Sequence, residues 1–441
     1  MTDRPTAHIG NHSGLLRQVP PRRTDQGGVD AIVVPSARTA PYLREAAGLA
    51  MELNCTLLVL CSKRAERAKV LRDIEDHAIV ADVIAVDMPP WMSSLPSFRA
   101  SELLRDTPFW PRTDVSLKRN LALLLARAVG WERTVFLDDD IRVDDPTDLR
   151  RAAALLDTHD AVGLEIVGCL DNSVVCHAIR DTGGDQGSFL GAGALAVATG
   201  RVDGFFPEVY NEDWFFLLKG DDGLRPVARM GTATQYDYDP YANPERARRE
   251  EFGDVLAEGL FALLDQGGRM HDADRAYWKD FLAARRRLIN GLLGDARGSD
   301  RRDRDRIVAS LTAALGRSLL IAPELCVAFL AAWEDDKNGW SERWRAVDGP
   351  ISAEEAIGRF GLTKRTTIRF NRTGEMPREP HLRTARRRLN TPAHRTVRLP
   401  NSGASRTTPM ASAGTITTSA VLNPAQWPSN PMVGGPANPE A

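Results

Sequence analysis

Three consecutive aspartates, Asp138, Asp139 and Asp140, directly follow the apolar run TVFL at 134–137. Side chains alternate along a strand, so this pattern predicts Asp138 and Asp140 on one face and Asp139 on the other. Two neighbouring carboxylates repel each other unless a cation lies between them. Mg²⁺ or Mn²⁺ would use both carboxylates and keep positions for a diphosphate. The alternative is a polar turn in which Asp139 or Asp140 caps the next segment. Three acids after a buried strand favour the metal site.

A second acidic site, the pair Glu212 and Asp213, precedes Trp214 and follows the small-residue run GAGA at 191–194. Small residues let a backbone approach a ligand closely. A carboxylate beside an aromatic ring suits a sugar or a hydroxyl acceptor, and Asp213 could take a proton from an attacking hydroxyl. Taken alone, the pair is more simply a helix N-terminus capped by Asn211. The order along the chain, with the aspartate strand first, favours the functional interpretation.

The elements that must position these residues alternate between strand and helix patterns from residue 29 to about 240. Short apolar runs predict buried strands, and the segment between the first two predicts a helix; these lie at 31–36, 56–61, 83–87 and 134–137, with the helix at 41–53. The runs are apolar throughout, as in strands covered by helices on both faces. This succession predicts right-handed βαβ units and a mostly parallel sheet. In such a sheet the ligand crevice lies beyond the carboxyl ends of the strands.

A helix directly before the aspartate strand is predicted from apolar residues at helical spacing, with Asp114 as its N-cap and Gly130 as a left-handed C-terminal cap. Lys118 and Arg119 lie on this helix, where we expect them on its solvated face unless they assist a ligand electrostatically. His177 falls in a run, 172–178, that has the pattern of a strand.

Helical patterns dominate the chain beyond residue 245, at 246–265, 274–293, 302–333 and 353–360. Pro323 is expected to divide the third pattern into two helices, and the polar stretch 294–301 is expected to be a break. We therefore predict an α/β domain at 29–245 and a helical C-terminal extension at 246–371.

Both ends of the chain are predicted to be disordered: a leader at 1–28 and a basic Pro/Ser/Thr-rich tail at 372–441. From residue 381 onward the tail has seven arginines, and its one acid is Glu440. It is expected to be a solvated tail or to contact an anionic membrane surface peripherally.

Composition excludes several classes of protein. The formal charge of -2 indicates no strong attraction to nucleic acid. Five sparse cysteines argue against a disulfide framework or a structural zinc site and favour a reducing, cytoplasmic compartment. No apolar run is long enough for a spanning helix. The sequence contains no P-loop, no G-x-G-x-x-G, no G-x-S-x-G and no H-E-x-x-H motif.

Taken together, the first strand, the helix before the aspartates, the FLDDD motif, the GAGA loop and the NEDW motif resemble a GT-A-type nucleotide-sugar glycosyltransferase. The similarity is to the family-2-like glycosyltransferases, especially actinobacterial members, and covers residues 29 to about 240. It implies a GT-A-like α/β fold and a metal-dependent, hexosyltransferase-like enzyme. Such an enzyme moves a sugar from a nucleoside-diphosphate donor to a hydroxyl of an unidentified glycan, lipid or small metabolite.

The resemblance also implies roles for individual residues. The DxD pair, Asp138 and Asp140, would hold Mg²⁺ or Mn²⁺. Asp213 would be the general base of an inverting reaction, with Glu212 beside it. The nucleotide would lie against Pro35, Ser36, Arg38, Lys118, Asp138 and Asp139.

This chain departs from the family pattern in two places. Cys61-Ser62-Lys63 stands where many members have an acid that reads the base, and the stretch 230–239 has no histidine that could be a further metal ligand. Asp237, Asp239 or His271 could replace that histidine. Two alternatives therefore stay open: a nucleotidyltransferase on a similar sheet, and a sugar-nucleotide-binding protein without turnover.

Overall fold

Strands and helices alternate through the first part of the chain, and helices fill the rest. A computed structural model describes residues 12–18, 27–168, 173–184, 187, 189–220 and 223–369. The strands are β1 Arg17–Gln18, β2 Ala31–Ser36, β3 Thr56–Cys61, β4 Asp82–Asp87, β5 Thr134–Leu137, β6 Ile141–Arg142, β7 Ala161–Gly168, β8 Ala194–Val197, β9 Val227–Gln235 and β10 Thr366–Arg369. The α-helices are α1 Arg44–Leu53, α2 Arg67–Asp76, α3 Arg99–Leu104, α4 Val115–Val129, α5 Pro146–Leu155, α6 Val174–Asp181, α7 Glu212–Leu217, α8 Pro244–Asp265, α9 Arg275–Gly298, α10 Arg304–Ser318, α11 Pro323–Arg345 and α12 Ala353–Arg359.

The ten strands form one sheet in the order β1-β9-β7-β8-β5-β2-β3-β4-β10, and β6 pairs with β9 beside this order. Strands β5, β2, β3 and β4 are parallel neighbours, as the apolar runs predicted. The sheet as a whole is mixed, because β8 is antiparallel to β5 and β7, and β10 is antiparallel to β4. The expectation of a mostly parallel sheet therefore holds for its centre.

The antiparallel strand β8 determines what lies beside the aspartates. Its first residue, Ala194, pairs with Leu137, the last residue of β5. The loop at 191–193 therefore reaches the sheet where the aspartate triplet leaves it, and the Asp138 amide donates to the Gly193 carbonyl at 2.9 Å. Two motifs more than 50 residues apart in sequence become neighbours through one strand register.

The C-terminal helices pack on the sheet and share its core. Residues of α8, α9, α11 and α12 belong to the same buried apolar cluster as the central strands, including Phe261, Phe281, Trp333 and Ile357. A second apolar cluster joins α6 to α8, α9 and α10. The helical region thus shares one core with the sheet and forms a second core with α6.

Several local predictions are confirmed. Gly130 ends α4 in the left-handed conformation at φ 84°. α10 ends at Ser318 and α11 begins at Pro323, so the long pattern is divided where a proline requires it. The helix predicted at 41–53 begins as a 3₁₀ turn, Ala40–Leu43, and continues as α1.

Three local predictions are wrong. The strand predicted at 172–178 is helix α6, because Ser173 caps it through the Cys176 amide (3.3 Å) and Glu250 accepts the Val174 amide (2.9 Å). The break predicted at 294–301 is partly helix, since α9 continues to Gly298. The aspartates do not alternate on a strand, because β5 ends at Leu137 and the Ile141 amide closes a turn on the Asp138 carbonyl at 3.1 Å.

Residues 12–18 lie within the predicted disordered leader, yet they form a 3₁₀ turn, Ser13–Leu15, and the edge strand β1. Leu16 is part of the core, and β1 pairs with β9. The predicted tail at 372–441 lies outside the described residues. No single helix in the described ranges has the length and hydropathy to cross a membrane, although α10 and α11 together, bent by 78° at their junction, satisfy the test by length and composition.

Candidate functional site

Asp139 fastens the end of strand β2 to the turn after β5. Its Oδ2 accepts the Ser36 hydroxyl at 2.8 Å and the backbone amides of Ala37 and Arg38 at 3.1 Å each. β2 and β5 are parallel neighbours, so their carboxyl ends reach the same edge and allow this contact. The carboxylate is buried, and its main role in this geometry is to hold the backbone at 36–38.

Arg38 connects Asp139 to Asp140. One guanidinium nitrogen pairs with Asp139, and the other lies 2.9 Å from Asp140 Oδ2. Gln235 Nε2 approaches the same Asp140 oxygen at 3.4 Å. Pro35 lies just before this group, in register with Leu60 of β3. Ser36 and Arg38, two of the residues predicted to border a nucleotide, are thus assembled around Asp139 and Asp140, with Pro35 beside them.

Asp138 belongs to a different network, centred on Arg119. The Arg119 guanidinium, which is 3% exposed, contacts Asp138 Oδ1 at 2.8 Å and pairs with Glu212 Oε1 through its other nitrogen. It also lies over the Phe206 ring, 5.6 Å from the centroid. One buried cation therefore joins the aspartate motif to the second acidic pair, which corrects the expectation that Arg119 lies on a solvated helix face.

Burial and like charge act on the acids of this network. Burial raises the pKa of Asp138 to about 6 against the opposing effect of Arg119, and the neighbouring Asp140 and Asp139 add to the rise. Burial likewise raises the pKa of Glu212 to about 8 against Arg119, and Asp213 adds to it. The fold thus places two acids with raised pKa values against one buried guanidinium, an arrangement that is typical of functional sites.

Asp213 is held by backbone amides. Its Oδ2 accepts the Ala192 amide at 2.8 Å, and its Oδ1 accepts the amide of Trp214 at 2.9 Å. A Cβ at Gly191 would lie 3.0 Å from Asp213 Oδ2, so a side chain at this position would press on the carboxylate. Asn211 occupies the N-cap position of α7 as predicted, but its side chain makes no capping bond and donates to Asp254 at 3.2 Å.

Lys118 is buried rather than solvated. Its Nζ donates to the Ser36 carbonyl at 2.9 Å and to the Ser62 hydroxyl at 2.7 Å, and it lies 3.2 Å from an Asp114 carboxylate oxygen. Burial lowers the pKa of Lys118, against the effect of Asp114. The ammonium therefore connects the carboxyl ends of β2 and β3 to α4, and it does not line the cavity described next.

A cavity of about 390 Å³ brings Asp138, Arg119, Glu212 and Asp213 together. The exposed lining residues include three cations that form no ion pair within the described ranges: Lys63, Arg112 and Arg249. The buried polar lining residues include Cys176, Glu250, Asp254 and Glu258. The apolar lining residues include Ile166, Phe189, Leu190 and Trp214. A pocket with charged ends and an aromatic wall suits a polar ligand with an anionic part.

The predicted metal pair has suitable oxygen donors. Each aspartate uses one carboxylate oxygen for an arginine, and the other oxygens, Asp138 Oδ2 and Asp140 Oδ1, have no hydrogen-bond partner within the part of the chain that the structure describes. Such oxygens suit Mg²⁺ or Mn²⁺. The predicted substitutes for a third ligand do not line the cavity: Asp237 is exposed, Asp239 pairs with Arg306, and His271 lies beside Asp272.

Among the described residues, ligand atoms of Cys176, Asp254 and Glu258 all lie within 4.8 Å of one another. That group already has a buried cation beside it, because Arg285 Nη2 lies 2.5 Å from Asp254 Oδ2. His177 donates to or accepts from the Tyr238 hydroxyl at 2.7 Å.

Sequence reasoning missed the role of Arg119 and placed Lys118 wrongly, although a signal for both was present. Nearly every position of α4 from Leu121 to Ala128 is apolar, so the helix is apolar on all sides. A helix of that kind is buried all round, and polar residues on it must find partners inside the protein.

No protein-family model matches the chain, and no curated protein matches its sequence. Among solved structures the chain is similar to the mannosyltransferase PcManGT from Pyrobaculum calidifontis, in complex with GDP-Man and Mn²⁺. That similarity has a TM-score of 0.37 and 15% sequence identity, and it covers 75% of this chain and 87% of that chain. The function of this chain therefore has to be inferred from its own site.

Proposed function

We propose that this chain is a metal-dependent glycosyltransferase that moves a sugar from a nucleoside diphosphate to an acceptor hydroxyl. One observation carries the proposal: a single cavity contains Asp138, from the aspartate motif after β5, and Asp213, whose two oxygens are fixed by backbone amides. The resemblance of these motifs to GT-A-type, family-2-like enzymes supports the same function.

The donor lies at the carboxyl ends of β2 and β5 in this proposal. Asp138 and Asp140 would hold Mg²⁺ or Mn²⁺ through the carboxylate oxygens that their arginines leave free. When bound, the metal neutralises charge that develops on the leaving diphosphate. Lys63 and Arg112 on the cavity rim add positive charge for the same phosphates. The nucleoside extends toward Pro35, Ser36 and Arg38.

Asp213 is the general base of the proposed reaction. Its carboxylate takes the proton of the acceptor hydroxyl while the hydroxyl oxygen forms a bond to the anomeric carbon. The bond from that carbon to the diphosphate oxygen breaks, and its electron pair leaves with the nucleoside diphosphate. The product is inverted at the anomeric carbon. Glu212 acts through Arg119, which it pairs with, and so keeps Asp138 in position.

The test combines binding with product analysis. Thermal melting is recorded against a panel of nucleoside diphosphates and nucleotide sugars, with and without Mn²⁺. A ligand at 100 times its dissociation constant adds roughly 2.7 kcal/mol of stability. We expect one diphosphate to stabilise the protein only with metal, and Asp138→Asn to abolish that effect. Asp295→Asn, at an exposed position of α9, is the matched control and should leave it intact.

Asp213→Asn separates chemistry from binding. It should keep the metal-dependent stabilisation and lower transfer by about 10²- to 10⁴-fold, the usual contribution of a general base. Unchanged transfer in this variant would contradict the assigned base. Release of pyrophosphate in place of a nucleoside diphosphate would show a nucleotidyltransferase. Nucleotide binding without turnover on any acceptor would show a binding protein.

A further inference from the structure

His12 is a buried histidine on the N-terminal segment, far in sequence from the site. It is 3% exposed, with a left-handed backbone at φ 48°. The 3₁₀ turn after it leads to β1, which pairs with β9 at the edge of the sheet. The segment is thus fixed at two points, by strand pairing and by the histidine ring.

Both ring nitrogens of His12 face carboxylates of α8. Nδ1 pairs with Asp265, and Nε2 lies 3.3 Å from Glu258 Oε2. A neutral imidazole has only one N–H, whereas an imidazolium donates from both nitrogens, so the protonated ring satisfies both carboxylates at once. Burial lowers the pKa of His12, but the two acids outweigh it and the net shift is upward.

The His12 ring also supports the aromatic wall of the cavity from behind. Its centroid lies 5.5 Å from that of Trp214 at 89°, and 6.2 Å and 5.6 Å from those of Phe189 and Phe261. Trp214 and Phe189 line the cavity, as does Glu258. The Trp214 amide is one of the two groups that hold the Asp213 carboxylate. His12 therefore touches the neighbours of the proposed base without lining the cavity itself.

We propose that His12, in its protonated form, is a positioning residue of the acceptor side of the site: it fixes Trp214, and through Trp214 the carboxylate of Asp213. This inference rests on the proposed function for its catalytic part. When the ring loses its proton, one of the two carboxylates loses its donor, and the N-terminal segment loosens from the cavity wall. The charged and titratable groups around this ring are Glu258 and Asp265 on α8, with Asp254, Cys176 and Arg285 around Glu258.

The sign of the pH dependence follows from the raised pKa. A histidine whose pKa is higher in the folded state stabilises the fold fully below its ordinary value of 6.5 and loses that contribution as pH rises through the folded value. Glu258, whose pKa burial also raises, acts in the same direction. Substitution of His12 should therefore remove the part of the decline in fold stability that occurs on the alkaline side.

The test compares His12→Gln with His77→Gln on the full chain. His77 is an exposed histidine at the end of α2 and serves as the matched control. Melting temperatures are recorded from about pH 5.5 to 9, the range of histidine titration. We expect the wild type and His77→Gln to lose stability on the alkaline side, and His12→Gln to lack that step. Identical pH profiles for all three proteins would overturn the inference.

Two readouts report positioning directly. Hydrogen–deuterium exchange of a peptide covering 212–217 should be faster in His12→Gln than in the control at the same pH. In the transfer assay His12→Gln should lower kcat by roughly tenfold or more, as small misplacements of catalytic groups do, while metal-dependent nucleotide stabilisation stays unchanged. A normal kcat with unchanged exchange would show that His12 only anchors the segment.

Histidine-labelled NMR separates this inference from the proposed function. A ring protonated at both nitrogens near neutral pH is expected whether or not sugar transfer occurs, and a neutral tautomer would overturn the inference. If His12→Gln fails to fold, Asp265→Asn removes one partner at a half-buried position and should shift the same pH step to lower pH. Loss of transfer with every donor and acceptor, alongside a protonated His12, would reject the enzyme and leave the ion pairs established.

Discussion

Asp139 is expected to stabilise the fold, in contrast to its two neighbours in the triplet. It is 6% exposed, and its Oδ2 is the common acceptor for the Ser36 hydroxyl and for the amides of Ala37 and Arg38. In Asp139→Ala these three donors lose their acceptor at once, inside the edge where β2 meets β5. Buried donors without a partner are costly because water cannot replace the lost acceptor.

The size of the effect follows from the three bonds. A hydrogen bond to a charged group contributes about 1.5 to 3 kcal/mol, and the low end applies because the two amides are half-buried, which gives a loss of roughly 4 kcal/mol. The Arg38 ion pair adds little because that side chain is 37% exposed. With about 2.1 cal/mol/K per residue over roughly 340 described residues, this loss lowers Tm by roughly 6 °C.

Calorimetry on three variants distinguishes this geometry from a generic acidic turn. Asp139→Asn keeps an acceptor oxygen for the three donors but places its amide against the Arg38 guanidinium, so about half of the alanine loss is expected. Asp140→Ala removes one ion pair to the 37% exposed Arg38 side chain and a long contact to Gln235, and it should cost about 1 kcal/mol. Equal melting temperatures for Asp139→Ala and Asp140→Ala would refute the reasoning.

Two further substitutions test the packing behind the site. Gly253→Ala places a Cβ 2.2 Å from the Tyr210 carbonyl oxygen, so it should destabilise the protein by about 1 to 3 kcal/mol and lower the proposed sugar transfer. Gly291→Ala is the control: it has open space around it and should be neutral or stabilising. Equal melting curves for the two variants would contradict this. Arg285→Met leaves the buried acids Glu251 and Asp254 of α8 without their cation, so it should lower the free energy of unfolding by about 3 to 5 kcal/mol near neutral pH. The loss should be smaller in acid, where the carboxylates take up protons, and urea denaturation at two pH values would measure it. A loss that is independent of pH would exclude this cause.

The sequence was informative where one local rule decides the outcome. Apolar runs predicted the central parallel strands, and Gly130 and Pro323 predicted two helix boundaries, because each depends on a few adjacent residues. The run at 172–178 misled because its β-branched residues have the pattern of a strand, while the contact that makes it helical, from the Val174 amide to Glu250, comes from 76 residues away.

The candidate site was predicted in part for the same reason. The order of motifs indicated Asp138 and Asp213, and the structure places both in one cavity. The order of motifs did not indicate that β8 would run antiparallel to β5. This antiparallel pairing brings the GAGA loop to the aspartates. The contacts of His12 could not be predicted from the sequence at all, because its partners lie about 250 residues away and nothing near it in sequence indicates burial.

Helix α4 explains how the two halves of the site keep their spacing. Three consecutive polar residues on it are buried, and successive residues of a helix point about 100° apart. Lys118 reaches the end of β2, Arg119 reaches Asp138 and Glu212, and Asn120 both donates to the Phe206 carbonyl and accepts the Phe206 amide at 2.8 Å.

The segment from 204 to 212 has no regular secondary structure before α7 begins at Glu212, and its Phe205, Phe206 and Val209 belong to the core. Through Asn120 and Arg119 it is bonded to the same rigid helix that holds the strand ends. The distance from Asp138 to the acidic pair is therefore set by side chains on adjacent residues of α4. In the proposed reaction, groups held in this way would lose little free energy to reorganisation, and a positioned base and a charge-stabilising site both require this.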